Sequence, residues 1–320
     1  MLELLKSRAQ LYAKLLMATC AVGLLAGFLE PWGWGFDLFN HFVFLYLCAF
    51  VVAGLALAVT RQRKSLLLAV CLAVAAALRV YGDSISTAAP AGAQRLQVTH
   101  FNVHTVNHRR QTILDRVVES DADLAVLLEV GPEWGAILDQ MEPPWRVVQF
   151  HPQRDNFGIA LLARRPVEST RLLSMGPFSL ATVEARLELD GLPVTLLGVH
   201  AAPPVDDRYV DARDRHFLEL ARRVKTSTEA MILVGDFNAT PWSRPLQRLL
   251  QDTGLRSAHR AHDATWPADF PIGIPIDLTL HAPSLTVTRR VLGDPLGSDH
   301  RPVHVSFARA AHGGPSGSKR

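Results

Sequence analysis

The first 80 residues of this 320-residue chain are far poorer in charged side chains than the rest. They hold seven of the 33 basic and three of the 30 acidic residues. A bilayer core about 30 Å thick requires a helix of about 20 mostly apolar residues to cross it. Residues 11–29, 38–60 and 65–80 meet or approach this requirement, which predicts a membrane anchor of three transmembrane helices over residues 1–83. A cleaved signal peptide for the first stretch and buried core helices for the others are the alternatives.

The basic residues near these stretches predict their orientation, because such residues are enriched on the cytoplasmic side of a membrane. Six of them lie before the first stretch or between the second and third: Lys6, Arg8, Lys14, Arg61, Arg63 and Lys64. The segment 30–37, between the first and second stretches, has two acidic residues, two tryptophans and no basic residue. With the N-terminus inside, three crossings place everything after Tyr81 outside, although Arg79 at the outer end opposes this assignment.

The remaining chain is a polar domain with a predicted linker before it and a predicted disordered tail after it. Residues 84–94 are rich in Ser, Ala, Pro and Gly, and residues 310–320 are rich in Gly and Ser. The domain, residues 95–309, has no cysteine, which excludes a disulfide framework and a cysteine-ligated zinc site there. Residues 81–311 carry 24 basic and 27 acidic side chains, so the domain lacks the overall basic charge typical of proteins that bind duplex DNA.

Short apolar runs alternate with amphipathic stretches in this domain, which predicts an α/β fold with much antiparallel pairing. The predicted strands are residues 96–101, 124–128, 145–150, 158–163, 181–189, 194–199, 231–234, 276–280 and 303–307. Asp190-Gly191 predicts a hairpin between two of them. The predicted helices are residues 111–119, 132–140, 211–225 and 243–251.

Polar side chains recur where the predicted strands end, which is where functional sites are commonly built. They are Asn102, His104, Glu129, His200, Asp236, Asn238, Asp277, Asp299 and His300. Each one alone is explained as a turn residue, a helix cap or a surface group. Their repetition at one end of the strands predicts a shared site.

Seven segments in this order resemble the motif series of the endonuclease/exonuclease/phosphatase superfamily, the DNase I-like proteins. They are Phe101-Asn102, Leu127-Leu128-Glu129, Gly158-Ile159-Ala160-Leu161-Leu162, Gly198-Val199-His200, Gly235-Asp236-Phe237-Asn238-Ala239-Thr240-Pro241, Ile276-Asp277 and Ser298-Asp299-His300-Arg301-Pro302. The resemblance covers nearly the whole polar domain. It implies a four-layer α/β sandwich and divalent-metal-dependent hydrolysis of phosphate esters.

The resemblance also implies roles for individual residues. Glu129, Asn102 and Asp299 would hold Mg²⁺ or Mn²⁺, and oxygen ligands are those that magnesium prefers. Asp236 would orient or deprotonate the attacking water, and Asn238 would hold this water or a phosphate oxygen.

Two histidines and an aspartate complete the predicted catalytic set. His200 would donate to a phosphoryl oxygen, and His300 would face the phosphate while Asp277 fixes its tautomer, as in other carboxylate–histidine pairs.

Four further residues are predicted to bind substrate. Arg213 and Arg215 are candidate phosphate clamps, although a solvated charged helix face explains them equally well. Trp266 lies in an apolar loop that would contact acyl chains, stack on bases or cover the core. His104 stands where several nucleases of the family have Asp, and Leu128 stands where Gln often precedes the metal-binding Glu. These departures would alter metal occupancy or a hydrogen bond behind the ligand.

The fold alone does not determine the substrate. The domain is predicted to be tethered outside the membrane and is not basic overall. Both features favour a lipid-linked phosphate or pyrophosphate as the substrate, because tethering raises the effective concentration towards molecules of the same membrane. The architecture resembles bacterial inner-membrane members of the family, including glycopeptide-resistance-associated ones that act on an isoprenoid lipid pyrophosphate. A surface nuclease and a non-catalytic envelope binding module are the alternatives. The expected partners are the bilayer and the phosphorylated lipid or nucleic acid, with no obligate protein partner.

Overall fold

The computed structural model describes residues 1–81, 92–270 and 272–310 of the chain. Residues 84–91 of the predicted linker and 311–320 of the predicted tail therefore lie outside the described residues. The helices are α1 (Leu2–Ala26), α2 (Trp34–Asp37), α3 (Val43–Val59), α4 (Arg63–Tyr81), α5 (Arg110–Glu119), α6 (Gly135–Leu138), α7 (Asp207–Lys225) and α8 (Arg244–Thr253). The strands are β1 (Leu96–Asn102), β2 (Leu124–Leu128), β3 (Arg146–His151), β4 (Ile159–Ala163), β5 (Ser169–Met175), β6 (Leu180–Leu189), β7 (Leu192–His200), β8 (Ala230–Asp236), β9 (Arg256–Ser257), β10 (Asp277–His281), β11 (Leu285–Leu292) and β12 (Val303–Arg309).

The twelve strands form two six-stranded sheets with helices on their outer faces, as predicted. The strand order is β11-β12-β1-β2-β4-β3 in the first sheet and β5-β6-β7-β8-β10-β9 in the second. Val126 and Leu161 of the first sheet share one buried apolar cluster with Val183 and Leu196 of the second. Burial of apolar surface between the sheets and under the helices is the main force that holds these layers together. Helix α5 covers the first sheet, and α7 and α8 cover the second, which gives a four-layer α/β sandwich.

Three strands were absent from the sequence-based prediction, and all three lie at or next to sheet edges. β5, β9 and β11 occupy edge positions in the two sheets. Edge strands tolerate charged and polar side chains because one side has no neighbouring strand. Arg171 in β5 and Arg289 in β11 interrupt the apolar alternation that identified the central strands.

Helix boundaries differ from the prediction at two places. The predicted helix 132–140 is a 3₁₀ turn, Pro132–Trp134, followed by the four-residue α6. Helix α7 begins at Asp207 rather than at residue 211, because the Asp206 carboxylate caps it by accepting from the backbone N–H groups of Arg208 and Tyr209, both at 2.9 Å. The predicted hairpin is confirmed, with positive φ at Asp190 and Gly191.

Among the residues that the structure describes, two helical segments near the N-terminus, rather than the three predicted, are long and apolar enough to cross a membrane. They are Glu3–Trp32, with mean hydropathy 1.7, and Trp34–Val59, with mean hydropathy 2.7. The third predicted span lies in α4, whose 19 residues include Arg63 and Lys64 in the first turn and Arg79 in the last. Core helices and signal sequences also satisfy such a criterion. Only 28% of the most apolar window of each segment is buried, however, which is unlike a core helix.

The N-terminal helices pack on the polar domain through α2 and the 3₁₀ turns on either side of it, Gly27–Trp32 and Leu38–Phe42. Asp37 is buried at this contact, and its Oδ1 accepts from the backbone N–H of Arg244 at 2.9 Å. Glu30 accepts from Arg248 at 3.0 Å, and Trp34 donates to the Asp207 carboxylate. The same end of the helical region therefore contacts the starts of both α7 and α8.

Candidate active site

The predicted catalytic residues come together at one end of the two sheets. In the first sheet, Asn102 ends β1 and pairs with Leu128 of β2, so that Glu129 follows at the adjacent strand end. In the second sheet, His200 of β7 and Asp277 of β10 lie on either side of Asp236 of β8 in the strand register. The pairing of strands alone therefore carries these groups to one place.

Glu129 lies at the centre of a network contributed by the first sheet. Asn102 Nδ2 donates to Glu129 Oε1 at 2.9 Å, and the backbone N–H and hydroxyl of Thr105 donate to Oε2 at 2.9 and 3.0 Å. The backbone N–H of His104 donates to Asn102 Oδ1 at 3.1 Å, which fixes the orientation of that amide. Glu129 and His104 both have φ of 63°. Such left-handed backbone is unfavourable for these residues and is concentrated at functional sites.

Asp236 connects the two sheets through its carboxylate. Asn102 Nδ2 donates to Asp236 Oδ2 at 3.2 Å, so one amide group contacts carboxylates from both sheets. Gly235 precedes Asp236 with φ of 137°, and a Cβ at that position would lie 2.0 Å from the Val199 carbonyl oxygen. Glycine is therefore required for β8 to approach β7 at this point.

Asp236 is buried, and its environment raises the pKa of its carboxyl group to about 7. Burial is the main cause, and the negative charge of Asp277 adds to it, whereas His300 opposes the shift. The Nε2 atoms of His200 and His300 lie 3.7 and 3.8 Å from Asp236 Oδ2. A carboxylate with a pKa near neutrality is suited to accept a proton from water at physiological pH.

His300 and Asp277 form a close buried pair, with 2.9 Å between His300 Nδ1 and Asp277 Oδ2. Burial alone would lower the pKa of His300, but the charge of Asp277 and this hydrogen bond outweigh burial and raise it to about 10. Burial would raise the pKa of Asp277, and the charge and hydrogen bond of His300 instead lower it. The pair is therefore an imidazolium and a carboxylate at neutral pH, with Nε2 of the imidazolium turned towards Asp236.

His200 and Asn238 complete the group around Asp236. Burial lowers the pKa of His200 to about 4, so that its imidazole is neutral at pH 7, and its ring lies 5.2 Å from the ring of Phe157. The Asn238 backbone N–H donates to Asp236 Oδ1 at 2.8 Å, and its side chain donates to the Ala201 carbonyl at 2.9 Å. Asn238 also has a left-handed backbone, with φ of 46°.

Asp299 lies on the opposite side of the site, beside two of the predicted substrate-binding residues. Trp266 Nε1 donates to Asp299 Oδ2 at 3.1 Å, and His104 Nδ1 lies 3.4 Å from Asp299 Oδ1. The Trp266 ring lies 6.5 Å from that of His300. The structure thus brings His104, Trp266 and Asp299 together at the edge of the catalytic group.

These groups face a cavity of about 750 Å³. Its acidic and histidine lining residues are Glu129, Asp155, Asp236, Asp299, His41, His200 and His300. No lysine or arginine is among the described residues that line it. A phosphate group would be repelled by four carboxylates unless cations neutralised them. The donor set of the cavity therefore fits a divalent metal.

Two groups of residues offer ligands for such a metal. Of the predicted ligands, Glu129 and Asp299 line the cavity, whereas Asn102 is not among its described lining residues and its Oδ1 accepts from the backbone N–H of His104. In addition, the side chains of Asp236, Asp277 and His300 place one potential ligand atom each within 4.8 Å of one another. Asp277 and His300 already pair with each other, as Glu129 and Asn102 do, and hard oxygen ligands suit magnesium better than imidazole does.

The structure does not bring Arg213 and Arg215 to the cavity. The Arg213 side chain is buried, its Nε donates to Asp214 at 2.9 Å, and its Nη2 lies 4.0 Å from Asp37 Oδ2. Arg215 lies on the exposed face of α7, where its Nε donates to both oxygens of Asp211 at 2.8 Å. Both guanidinium groups are directed to carboxylates away from the cavity.

Several residues of the site were not identified from the sequence. Thr265 Oγ1 accepts from the backbone N–H of Asp277 at 3.1 Å, and Ser298 Oγ donates to the Asn102 carbonyl at 2.7 Å while accepting from the His300 N–H at 3.0 Å. Asp155 and Phe157 line the cavity. The position of Ser298 inside a recognised motif was the one available signal, whereas Thr265, Asp155 and Phe157 come from loops without one.

The chain was compared with known families, curated proteins and solved structures. A family model described as "Endonuclease/Exonuclease/phosphatase family" matches residues 99–300. No curated protein sequence matches the chain. An endonuclease/exonuclease/phosphatase from Bacteroides vulgatus is 16% identical, with a TM-score of 0.56, and the match covers 68% of this chain and 99% of that one.

Two further structures have the same fold. The human Nocturnin catalytic domain with bound sulfate is 14% identical over 72% of this chain and 99% of its own, with a TM-score of 0.53. D. rerio TDP2 complexed with single strand DNA product is 14% identical over 67% of this chain and 99% of its own, with a TM-score of 0.53. At such identities the structures establish the fold alone, whereas the family model spans most of the polar domain and its motifs. The chain belongs to the endonuclease/exonuclease/phosphatase family.

Proposed function

We propose that the protein is a membrane-anchored, divalent-metal-dependent phosphoesterase that hydrolyses a lipid-linked phosphate or pyrophosphate at the outer face of a bacterial inner membrane. The observation that carries this proposal is the carboxylate-lined cavity without lysine or arginine, in a domain packed against apolar helices. The metal, Mg²⁺ or Mn²⁺, would be held by Glu129, Asn102 and Asp299. When bound, it would neutralise the phosphate and the carboxylates around it.

The residues around Asp236 would carry out the proton and charge chemistry of this reaction. Asp236 would orient the attacking water and accept its proton, and Asn238 would hold that water or a phosphate oxygen. His300, kept protonated by Asp277, would donate from Nε2 to a phosphoryl oxygen as negative charge develops. His200, a neutral imidazole, would donate a second hydrogen bond there.

The surfaces of the N-terminal helices support their placement in a membrane. Val51, Val52 and Leu55 of α3 and Leu67, Val74 and Leu78 of α4 are all exposed. Continuous exposed apolar surface of this kind is typical of membrane or partner contact.

The packing of α4 supports a multi-pass topology with the polar domain outside. Arg79, at the end of α4, donates to Asn40 Oδ1 at 2.8 Å, directly before α3 begins. Helix α4 therefore runs antiparallel to α3 and returns the chain to the side of the 3₁₀ turns, where the polar domain is packed. The basic residues in the first half of α1 and around the start of α4 lie at the opposite end, which would be cytoplasmic.

The second candidate function is a surface nuclease, and one comparison favours it. The TDP2 structure shows that a protein of this fold binds a single-stranded DNA product. Against it, polyanion binding relies on lysine and arginine, which the described cavity lining lacks. The candidate from another class is a non-catalytic envelope binding module.

The test is phosphate release from undecaprenyl pyrophosphate by the purified full chain in detergent with magnesium, beside cleavage of single- and double-stranded DNA. Asp236→Ala and excess chelator are the controls. Magnesium-dependent lipid turnover that Asp236→Ala abolishes supports the proposal. DNA cleavage without lipid turnover favours the nuclease, and a salt titration then measures its phosphate contacts. If the protein turns over neither substrate while binding the metal, the binding module is favoured.

A further inference from the structure

One wall of the active-site cavity comes from the N-terminal helical region rather than from the phosphoesterase domain. Leu38, His41 and Phe42, all in the 3₁₀ turn between α2 and α3, line the same cavity as Asp236 and His300. His41 is buried, whereas Phe42 is 41% exposed. This turn precedes α3, so the cavity wall is covalently continuous with one of the two helical segments apolar enough to cross a membrane.

Polar contacts fix this turn against the domain. Asp37, directly before it, accepts from the Arg244 backbone N–H and from Asn40 Nδ2 at 2.9 and 3.0 Å. Arg213 lies 4.0 Å from the other Asp37 oxygen, and both side chains are buried. A buried carboxylate with donors from another part of the chain holds its segment in one position, because any displacement leaves charge unpaired.

The rest of the cavity beside this turn is also apolar. Val205, 65% exposed, and Trp266, 37% exposed, line it from two loops of the domain, together with Ile274 and Ile276. We call the catalytic residues the polar end of the cavity, and the 3₁₀ turn with these two loops its apolar end. The two meet at Trp266, which donates to Asp299 and whose ring lies 6.5 Å from that of His300.

We infer that the apolar end binds the hydrocarbon chain of a lipid phosphate, and that Leu38 and Phe42 of the anchor determine chain-length specificity. The inference rests on the proposed function and deepens it. The occupant is a long apolar chain with a terminal phosphate or pyrophosphate, because such a molecule is charged at one end and apolar at the other, as the cavity is. Nucleic acid would present further phosphates to an apolar wall.

The position of this wall relative to the bilayer supports the same occupant. The turn lies in the first part of the Trp34–Val59 segment, which is long and apolar enough to cross a membrane, and α3 follows it directly. The loop that contains Trp266 carries two further exposed apolar side chains, Phe270 (67%) and Ile272 (56%). A chain held there would remain at the membrane surface while its head group reached Asp236.

Isoprenoid pyrophosphates of different length test this inference, because the reacting group is constant and only the chain changes. The full-length protein would be assayed in one detergent with isopentenyl pyrophosphate (C5) and farnesyl pyrophosphate (C15), with magnesium. We expect the wild type to prefer the C15 substrate by at least about 100-fold in kcat/KM. Phe42→Ala should lower this preference about tenfold, the effect typical of a few lost methylene contacts in an apolar pocket.

A second variant tests the same wall in case Phe42→Ala fails to fold, and a third variant is the matched control. Leu38→Phe adds volume to the wall and should also lower the preference for C15. Phe39→Ala changes the same 3₁₀ turn, but Phe39 lines a separate surface cleft with Trp34 and Asp207 and is not among the residues that line the cavity. Its C15-to-C5 ratio should equal that of the wild type. Thermal unfolding midpoints in the same detergent identify any variant that fails to fold.

The outcomes separate this inference from the proposed function. A ratio that falls in Phe42→Ala and Leu38→Phe but not in Phe39→Ala supports the inference. Hydrolysis of both pyrophosphates with the same ratio in all four proteins overturns it and leaves the proposed function standing. If the wild type hydrolyses none of these pyrophosphates, undecaprenyl pyrophosphate included, both are overturned.

Discussion

The two ends of the active-site cavity differ in where their residues come from. The polar end is formed by strand ends of one domain, and several of its groups are oriented by hydrogen bonds, such as that between His300 and Asp277. The apolar end is formed by one turn of the N-terminal region and two loops, which meet only because the helices pack on the domain. The chemistry of the reaction and the choice of substrate are thus assigned to different parts of the chain. Changes at one end should therefore leave the properties of the other intact.

The largest expected effect comes from Asp236→Asn. This change removes the carboxylate that accepts the proton of water, so kcat should fall about 10³-fold, within the range typical of general-base removal. The loss should be equal for the C5 and C15 pyrophosphates, as measured by initial rates at saturating magnesium. A loss confined to the long-chain substrate would contradict the division between the two ends.

Asp277→Asn should have the next largest effect and should change the pH profile. In the wild type, Asp277 raises the pKa of His300 to about 10, so His300 stays protonated throughout the neutral range and loses its proton only near pH 10. Without the carboxylate charge, burial dominates and lowers this pKa. We expect kcat to fall about 10²-fold. We also expect the alkaline limb of the pH profile, where activity declines because His300 loses its proton, to move to lower pH than in the wild type. A kcat/KM profile for the C5 substrate measures this, and an unchanged alkaline limb would contradict it.

Arg213→Ala tests whether the apolar end depends on the packing of the two regions. Its buried guanidinium lies between Asp214 and Asp37, so its loss should release the turn that begins at Leu38. We expect the C15-to-C5 preference to fall several-fold, with a lower thermal unfolding midpoint, because a buried carboxylate loses its partner. A lower midpoint with an unchanged preference would mean that the residue is structural only.

Arg215→Ala should have the smallest effect. The side chain is exposed and pairs with Asp211 one helical turn away, and exposed pairs of this kind contribute little. Kinetic constants for both substrates should stay within about twofold of the wild type. A tenfold rise in KM for both substrates would instead indicate that Arg215 binds the phosphate, which is one of the two interpretations that the sequence allows.

The polar end could be predicted from the sequence, whereas of the apolar end only the loop that contains Trp266 was predicted to contact substrate. Glu129 and Asp236 stand at the ends of central strands that their apolar runs identify, and His300 lies shortly before β12, so strand register and the packing of the two sheets bring them together. Edge strands such as β5 were missed because charged residues break the alternation. The cavity contribution of Leu38 and Phe42 arises from a contact between segments far apart in the chain, and no local pattern encodes it. Arg213 was expected at the phosphate for the same reason, since its partner Asp37 lies 176 positions earlier in the chain.

The amide of Asn102, which donates to Glu129 in one sheet and Asp236 in the other, makes catalysis sensitive to the spacing of the hydrophobic core. The two halves of the reaction centre sit on separate sheets, so the thickness of the apolar layer between them sets their separation. The apolar layer has little room for a larger side chain at Gly198, because a Cβ there would lie 2.6 Å from Val183 Cγ2 and 2.8 Å from Val126 Cγ1. A larger side chain in that layer would wedge the sheets apart and pull this amide from one of its carboxylates. In such a protein, mutations far from the substrate can abolish activity while the protein still folds.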